Sequence, residues 1–332
     1  MIDVAFLSRI NGTFATEDAE EIESAVEKIQ EKDEEQLEPI EESVEEMEDA
    51  EKEVETKGAE LSSLVKLRNY VRTNGVNNSI IETINGNGEF TQLSGILLPS
   101  SEKLGYYGDP DSTVSQLVVE GLEGFLKDAY DWAKRMVERI MKWINKLLVF
   151  LHLKAATTTD RVNRIKKQLE KLGDVTVPSV KMIPTSALRD VAAKYQELMR
   201  DVSRTDVNIA SLEKTVTEKE QAFKDLSGYE AECKNVSTAK ISNEYIAWIN
   251  SYQKDIDEMN DLAGKFDKEA RNLSNEARSV GGVDNTAFKD KAALLLKRVK
   301  LAHIVASIIT RYQSFAFMSV GRWILAARKV KK

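Results

Sequence analysis

Histidine, cysteine and proline are scarce in this chain, and each shortage excludes a class of chemistry or fold. A single cysteine, Cys233, among 332 residues rules out an intramolecular disulfide framework and any CxxC metal or redox site. Folding in a reducing cytoplasm is the simplest expectation. The two histidines, His152 and His303, stand far apart on apolar segments, which leaves little for a histidine-based triad or metal centre. The motifs HExxH, GxxxxGK[ST], GxSxG and GxGxxG are all missing. With only 5 prolines and 16 glycines, clustered rather than dispersed, long uninterrupted helices are expected.

Long hydrophobic runs are missing too. Met1 to Phe14 has neither the basic start nor the apolar run of a secretory signal, and no stretch of about 18 uncharged apolar residues exists. The chain is expected to be neither exported by the usual route nor membrane-spanning. Its most apolar window, Leu301 to Ala327, contains Arg311 and Arg322, each costing roughly 2.5–3.5 kcal/mol to place in lipid. Carboxylates abound near the N-terminus, but a general acid needs a desolvated pocket to raise its pKa. A densely charged, solvated segment provides none. The expectation is a protein without enzymatic activity, cofactor or metal.

What the chain does have is segregated charge. Through Glu60 there are 22 acidic and 5 basic residues, a net of −17; Leu61 to Lys332 carries 33 acidic and 42 basic, a net of +9. From Thr286 onward 11 Lys and Arg face one Asp.

Residues 1–60 read as an acidic segment in which like charges at i,i+4 weaken an isolated helix. Glu17 to Glu60, interrupted only by Pro39, is expected to be a nascent or partner-dependent helix, or a solvated tail. Residues 61–173 read as a small helical domain. It opens with a short helix, Leu61 to Arg72, faced by Leu61, Leu64, Leu67 and Val71. A Gly/Ser-rich loop follows, from Thr73 to Ser112, in which short helices and turns are expected rather than strands. Next comes an amphipathic helix, 113–153, capped by Asp111, Ser112 or Thr113. A separate shorter helix, about Asp160 to Leu172, should stop at Gly173, the natural left-handed residue past a helix end. Pro178 and Pro184 mark 174–187 as an extended linker.

Residues 188–332 read as an elongated antiparallel three-helix, coiled-coil-like bundle, so that the whole chain is all-α. The first helix carries a 3,4 seam from Leu188 through Val191, Tyr195, Leu198 and Val202 to Leu226, broken by Thr205 and Lys219. The second, about Thr238 to Ser279, repeats it with Asp255 and Glu269 as exceptions. Asp284 or Asn285 caps the third.

The third helix places Lys289, Lys300, Arg311 and Arg322 eleven residues apart, drifting only about 20° per step, so they form one basic stripe. Lys297 widens it, and Arg328, Lys329, Lys331 and Lys332 end it. Either this is the one wet face of an otherwise buried helix, or the stripe contacts nucleic-acid phosphates without sequence choice. The two uses involve different surfaces and are compatible. Tyr312 and Trp323 sit at core spacing, which disfavours base stacking on them. The 113–153 helix leaves a further alternative open: Trp132 and Trp143 beside Lys134, Arg135, Lys142 and Lys146 fit a helix lying in a membrane surface.

The order of parts carries a resemblance. An acidic run is followed by NYVRTNG (Asn69 to Gly75), by the loop SGILLPSSEKLGYYGD, and by a helix of pattern LEGFLKxxxxWxxxxxxxI with tryptophans among basic residues. Over about residues 15–172 this resembles the internal head, or inner-body, proteins of large tailed bacteriophages. The resemblance implies a structural virion protein made in the host cytoplasm and packaged inside the capsid with double-stranded DNA, possible ejection with it, and contact with capsid, portal or other internal head proteins or with copies of itself. It also implies trimming by a prohead protease that cuts after a glutamate preceded two residues earlier by a small residue. Candidate sites end at Glu21, Glu27, Glu45 and Glu60. Cutting after Glu60 would remove the −17 segment and leave a +9 body. A cytoplasmic coiled-coil scaffold with an acidic regulatory tail is the alternative outside this family.

Overall fold

The computed structural model describes residues 19–77, 80, 110–204, 211, 214, 227–279 and 286–331. The chain is all-α, with one two-stranded ribbon among the described residues. Helix α1 spans Ala19–Asn74 and α2 Thr113–Leu172; strand β1, Thr176–Met182, precedes α3, Thr185–Ser203. Strand β2, Ala231–Ser237, leads through a helical turn and a π-helical stretch, Ile241–Ile246, into α4, Ala247–Ser279, and α5 spans Thr286–Lys331.

Helix α1 takes in both the acidic segment, expected as a nascent or partner-dependent helix or a solvated tail, and the separate short helix expected after it. It is one helix through both, continuous across Pro39. The reason is a seam hidden among the glutamates: Leu37, Ile40, Met47, Ala50, Val54, Leu61, Leu64 and Val71 are all buried, spaced by threes, fours and sevens. Burying the larger of these at about 1.5–3 kcal/mol each outweighs about 3 kcal/mol for an interior proline and a few tenths for each like-charge pair. Gly75, at φ 71°, ends the helix by donating its N–H to Val71 O at 2.8 Å.

Helix α2 likewise runs through the expected break after Leu153. The threonines there return their hydroxyls to the helix: Thr157 donates to Leu153 O at 3.0 Å and Thr159 to Ala155 O at 3.0 Å. Ser112 is the cap, accepting from Ser115 N at 3.2 Å. Gly173, at φ 66°, closes the far end on Leu169 O.

The 174–187 linker is extended but not free. Its β1 pairs antiparallel with β2 in the register Val177↔Val236 and Val180↔Cys233. Pro178 argues against a strand in sequence, yet a two-stranded ribbon needs no N–H from it. The partner strand has Asn235 at φ 49°, a conformation asparagine tolerates. Helix α3 stops at Ser203, short of the expected Leu226, with Arg204 extended. The carbonyl of Val202 is taken by Arg298 Nε at 2.9 Å, and Ser203 turns its hydroxyl onto Arg200 O. The seam from Thr205 to Leu226, the 81–109 loop and the cap at Asp284 or Asn285 lie outside the described residues.

Two compact units make up the chain, each from discontinuous stretches that do not follow the boundaries at residues 60 and 173. The first takes in the described residues up to Met47, Trp143–Asp267 and Lys297–Lys332; the second takes in Glu48–Lys142 and Lys268–Leu296. In the first unit Thr158 donates to Gln313 at 3.1 Å, so α2 and α5 lie side by side. Its aromatic centre joins α3, α4 and α5, with Trp248 at 4.2 Å from Tyr252 and 5.0 Å from Tyr312, ring to ring and edge-on. In this core Asp255, an exception in the α4 seam, accepts the Tyr195 hydroxyl. The second unit packs Val54, Leu61, Leu122, Leu126, Trp132, Met136, Ile140 and Phe288.

Candidate functional site: the acidic helix and its basic partners

The carboxylates of α1 divide by what lies beside them. Glu35, Glu38, Glu42, Glu45 and Glu48 are exposed, while Asp33, Glu41, Glu46 and Glu53 reach basic or indole donors on other helices.

In the first unit Asp33 is the most buried of these. Lys154 donates to it at 2.6 Å and Arg161 at 2.8 and 3.1 Å, and the Ser314 hydroxyl completes its shell. Burial pushes the Asp33 carboxyl up, but Lys154 and Arg161 outweigh it and hold the group at about 2. About two turns along, Glu41 pairs with Arg311 and accepts from Ser307 at 3.2 Å. Glu46 accepts the Trp143 indole N–H at 2.6 Å, and Lys146 donates to Ser43 at 3.1 Å. In the second unit Glu53 repeats the motif, accepting from Trp132 at 2.7 Å and Arg139 at 2.6 Å. A tryptophan and a nearby base on α2 thus grip one carboxylate of α1 in each unit.

This geometry places the sequence-derived candidates as follows. Arg311 points to Glu41, and Arg322 to Glu230 at 2.5 Å. Partial burial pushes Glu230 up, but hydrogen bonds from Arg322 and Lys181 overcome it and lower the group. Lys297 is buried at 4% exposure, Lys289 packs its stem on Gly58, and Lys300 and Arg328 are half-buried. Lys329 is exposed, whereas Lys331 donates to Leu172 O at 2.8 Å, capping α2. Lys332 lies outside the described residues. Trp132 and Trp143, the anchors of a membrane-surface reading, are buried at 7% and 2% exposure. Among the described residues no helix is long and apolar enough to cross a membrane.

Glu60 stands mid-helix in α1, accepting from Lys57 at 2.8 Å, and Glu45 is an exposed position on the same helix. The side chains of Glu21 and Glu27 lie outside the described residues, on the first turns of α1. A protease needs locally unfolded chain, so neither Glu45 nor Glu60 is presented for cutting while α1 is docked.

Several determinants escape a sequence reading. Lys154 and Arg161 are seven residues apart on one apolar face of α2, a spacing that flags charge on a seam but names no partner. Arg298, 2% exposed, lies over the Phe266 ring at 4.9 Å. His303 is wholly buried, with Nδ1 2.9 Å from Val299 O. Among the described residues no group of three His, Cys, Asp or Glu converges as a metal site. No family model, curated protein or solved structure matches this chain.

Proposed function

We propose that this is a non-enzymatic structural protein of the interior of a tailed-phage head, packed beside double-stranded DNA, in which the acidic helix is the built-in counterion of basic helices. The observation that carries this is the set of pairings of Asp33, Glu41, Glu46 and Glu53 with Lys154, Arg161, Arg311, Arg139 and the two indoles. A chain made at high concentration beside DNA benefits from carrying its own counterions, since exposed cations bind nucleic acid without sequence choice.

Proteolytic maturation fits the same logic. Removing residues 1–60 would strip these cations of their carboxylates at the moment the body becomes net positive. Because Glu60 sits within α1, the cut requires α1 to be undocked, which ties trimming to assembly. The prohead protease and neighbouring capsid, portal or internal head proteins are the partners this reading requires.

Two measurements test it. Intact mass of the protein from mature particles should match a chain trimmed after a glutamate of α1; a mass beginning at Met1 overturns the processing step. The full chain carrying Glu41→Gln, Glu46→Gln and Glu53→Gln should bind unrelated duplex DNA more tightly than the unaltered chain, with steep salt dependence. Absence of any salt-sensitive binding favours the coiled-coil scaffold, and dye leakage from anionic vesicles would favour the membrane reading.

A further inference from the structure

The C-terminal end of α2 gathers lysines from three separate stretches of the first unit. Lys331 of α5 donates to Leu172 O at 2.8 Å and Lys171 O at 3.3 Å, which fixes the α5 terminus against the end of α2. On the other side Thr238 donates to Gly173 O at 2.8 Å, which brings Lys240, two residues further on, to the same end. Lys167 lies one turn before Lys171, with Lys166 beside it, and Lys329 one half-turn before Lys331. All six lysines are exposed. The acidic side chains at this end are Glu170 and Asp174, both exposed.

The negative pole of the α2 dipole favours cations here, but it accounts for one ammonium on the last carbonyls rather than six. The excess charge is a field directed at solvent. Its chemistry differs from that of the pairs made by arginine. Arg139, Arg161, Arg311 and Arg322 hold carboxylates of this chain, using the rigid fork that suits fixed pairs. The pole is built from lysines, point charges on flexible stems that follow a phosphate backbone without reading bases. No exposed phenylalanine or tryptophan accompanies it among the described residues, so stacking on single-stranded bases is not provided for.

We propose that this cationic pole, Lys166, Lys167, Lys171, Lys240, Lys329 and Lys331, is the seat of contact with the phosphate backbone of duplex DNA. The proposal rests on the DNA-contact reading above and moves the contact from the eleven-residue positions of the stripe, whose Arg311 and Arg322 are already paired within the chain, to its C-terminal end and the stretches beside it. Four of the six lysines, Lys166, Lys167, Lys171 and Lys240, lie on stretches that have no part in the stripe.

The test is anisotropy of a labelled duplex of arbitrary sequence, titrated with the full chain across a salt series. The unaltered chain is compared with a pole variant, Lys167→Gln, Lys171→Gln and Lys329→Gln, and a stripe variant, Lys289→Gln and Lys300→Gln. The pole variant should lose at least about tenfold in affinity near 0.15 M salt, and its slope of log K against log salt should shrink by about 2.5 to 3. The stripe variant should stay within about twofold. These are exposed or half-exposed positions, and matched circular dichroism melts confirm folding; a Lys167→Glu single variant gives a second, milder perturbation in the same direction. Loss confined to the stripe variant overturns the pole while leaving DNA binding intact. No salt-sensitive binding by the unaltered chain overturns the DNA reading and the pole together. Tighter capture on phosphatidylserine vesicles than on duplex, abolished in the pole variant, would reassign the surface to a membrane and overturn the nucleic-acid partner.

Discussion

Asp33 of α1 and Lys154 of α2 form an ion pair at 2.6 Å with each side chain only 3% exposed, 121 residues apart in sequence. Arg161 and Ser314 share the same carboxylate, so α1, α2 and α5 meet at one buried anion flanked by two cations. A buried pair is weak evidence for net stability, because desolvating both charges costs several kcal/mol. Its asymmetry is what has consequences.

Removing the anion alone should be costly. Asp33→Asn leaves Lys154 and Arg161 buried without a counter-charge and is expected to destabilise the chain by about 3–5 kcal/mol. The triple replacement Asp33→Leu, Lys154→Met, Arg161→Met should cost far less, since no orphaned charge remains. Urea midpoints of the two variants decide this, and equal losses would contradict it. Asp33 also sets an acid limit. Its carboxyl lies at about 2 in the fold against 3.8 in the unfolded chain, so its contribution is complete above pH 4 and is lost as pH falls through 2.

His303 acts in a higher window. Burial, with a smaller push from Lys146, lowers it from 6.5 to about 4, against a backbone hydrogen bond to Val299 that raises it. The unfolded chain therefore takes up a proton first as pH falls. Stability is complete above pH 6.5 and declines between 6.5 and 4, by about 3 kcal/mol in all. His303→Leu should flatten the difference in unfolding midpoint between pH 7.5 and pH 5. A slope unchanged in that variant would assign the effect elsewhere.

Gly58 lies on the buried seam of α1, where a Cβ would stand 2.7 Å from Lys289 Cγ and 3.1 Å from its Cβ. These atoms are the stem of the lysine, close to the α5 backbone, and have little room to retreat. Alanine gains about 1 kcal/mol in helix propensity, but overpacking costs about 1–3 kcal/mol. Gly58→Ala is expected to lower the melting temperature, and Gly58→Ala with Lys289→Ala to restore it. Rescue by the double variant separates the clash from a backbone effect.

Docked α1 should shield its internal glutamates. A glutamate-specific protease is expected to cut the native chain at Glu60 at least about a hundredfold more slowly than the urea-unfolded chain, corresponding to about 3 kcal/mol of local opening. Peptide mass mapping over time measures both rates. Prompt native cleavage at Glu60 would mean that α1 is not held as described.

How far each of these features was legible differs by feature. Helix ends were readable at Gly173 and at the Asp111 to Thr113 cap, because a left-handed residue or a capping hydroxyl acts within one turn. The seam of α3 was readable up to Val202, but its end was not, since the Val202 carbonyl is claimed by Arg298 from 96 residues away. The β ribbon was invisible because TVPSVKM and AECKNVS show no clean alternation, and each strand exists only through the other. Helix α1 was legible only as a segment in need of a partner, its seam diluted by glutamates that read as repulsion.

The sequence by itself determined the all-helical class and the segregation of charge, because helix bonds run from i to i+4 and net charge is a sum over residues. Only the tertiary structure decided what that charge does. A carboxylate's partner depends on which helix lies beside it, a relation across about eighty to nearly three hundred residues that no local pattern records. Asp33, Glu41, Glu46 and Glu53 are indistinguishable in sequence from Glu35, Glu42, Glu45 and Glu48; pairing with donors on neighbouring helices makes the first set structural, and the second set stays in water.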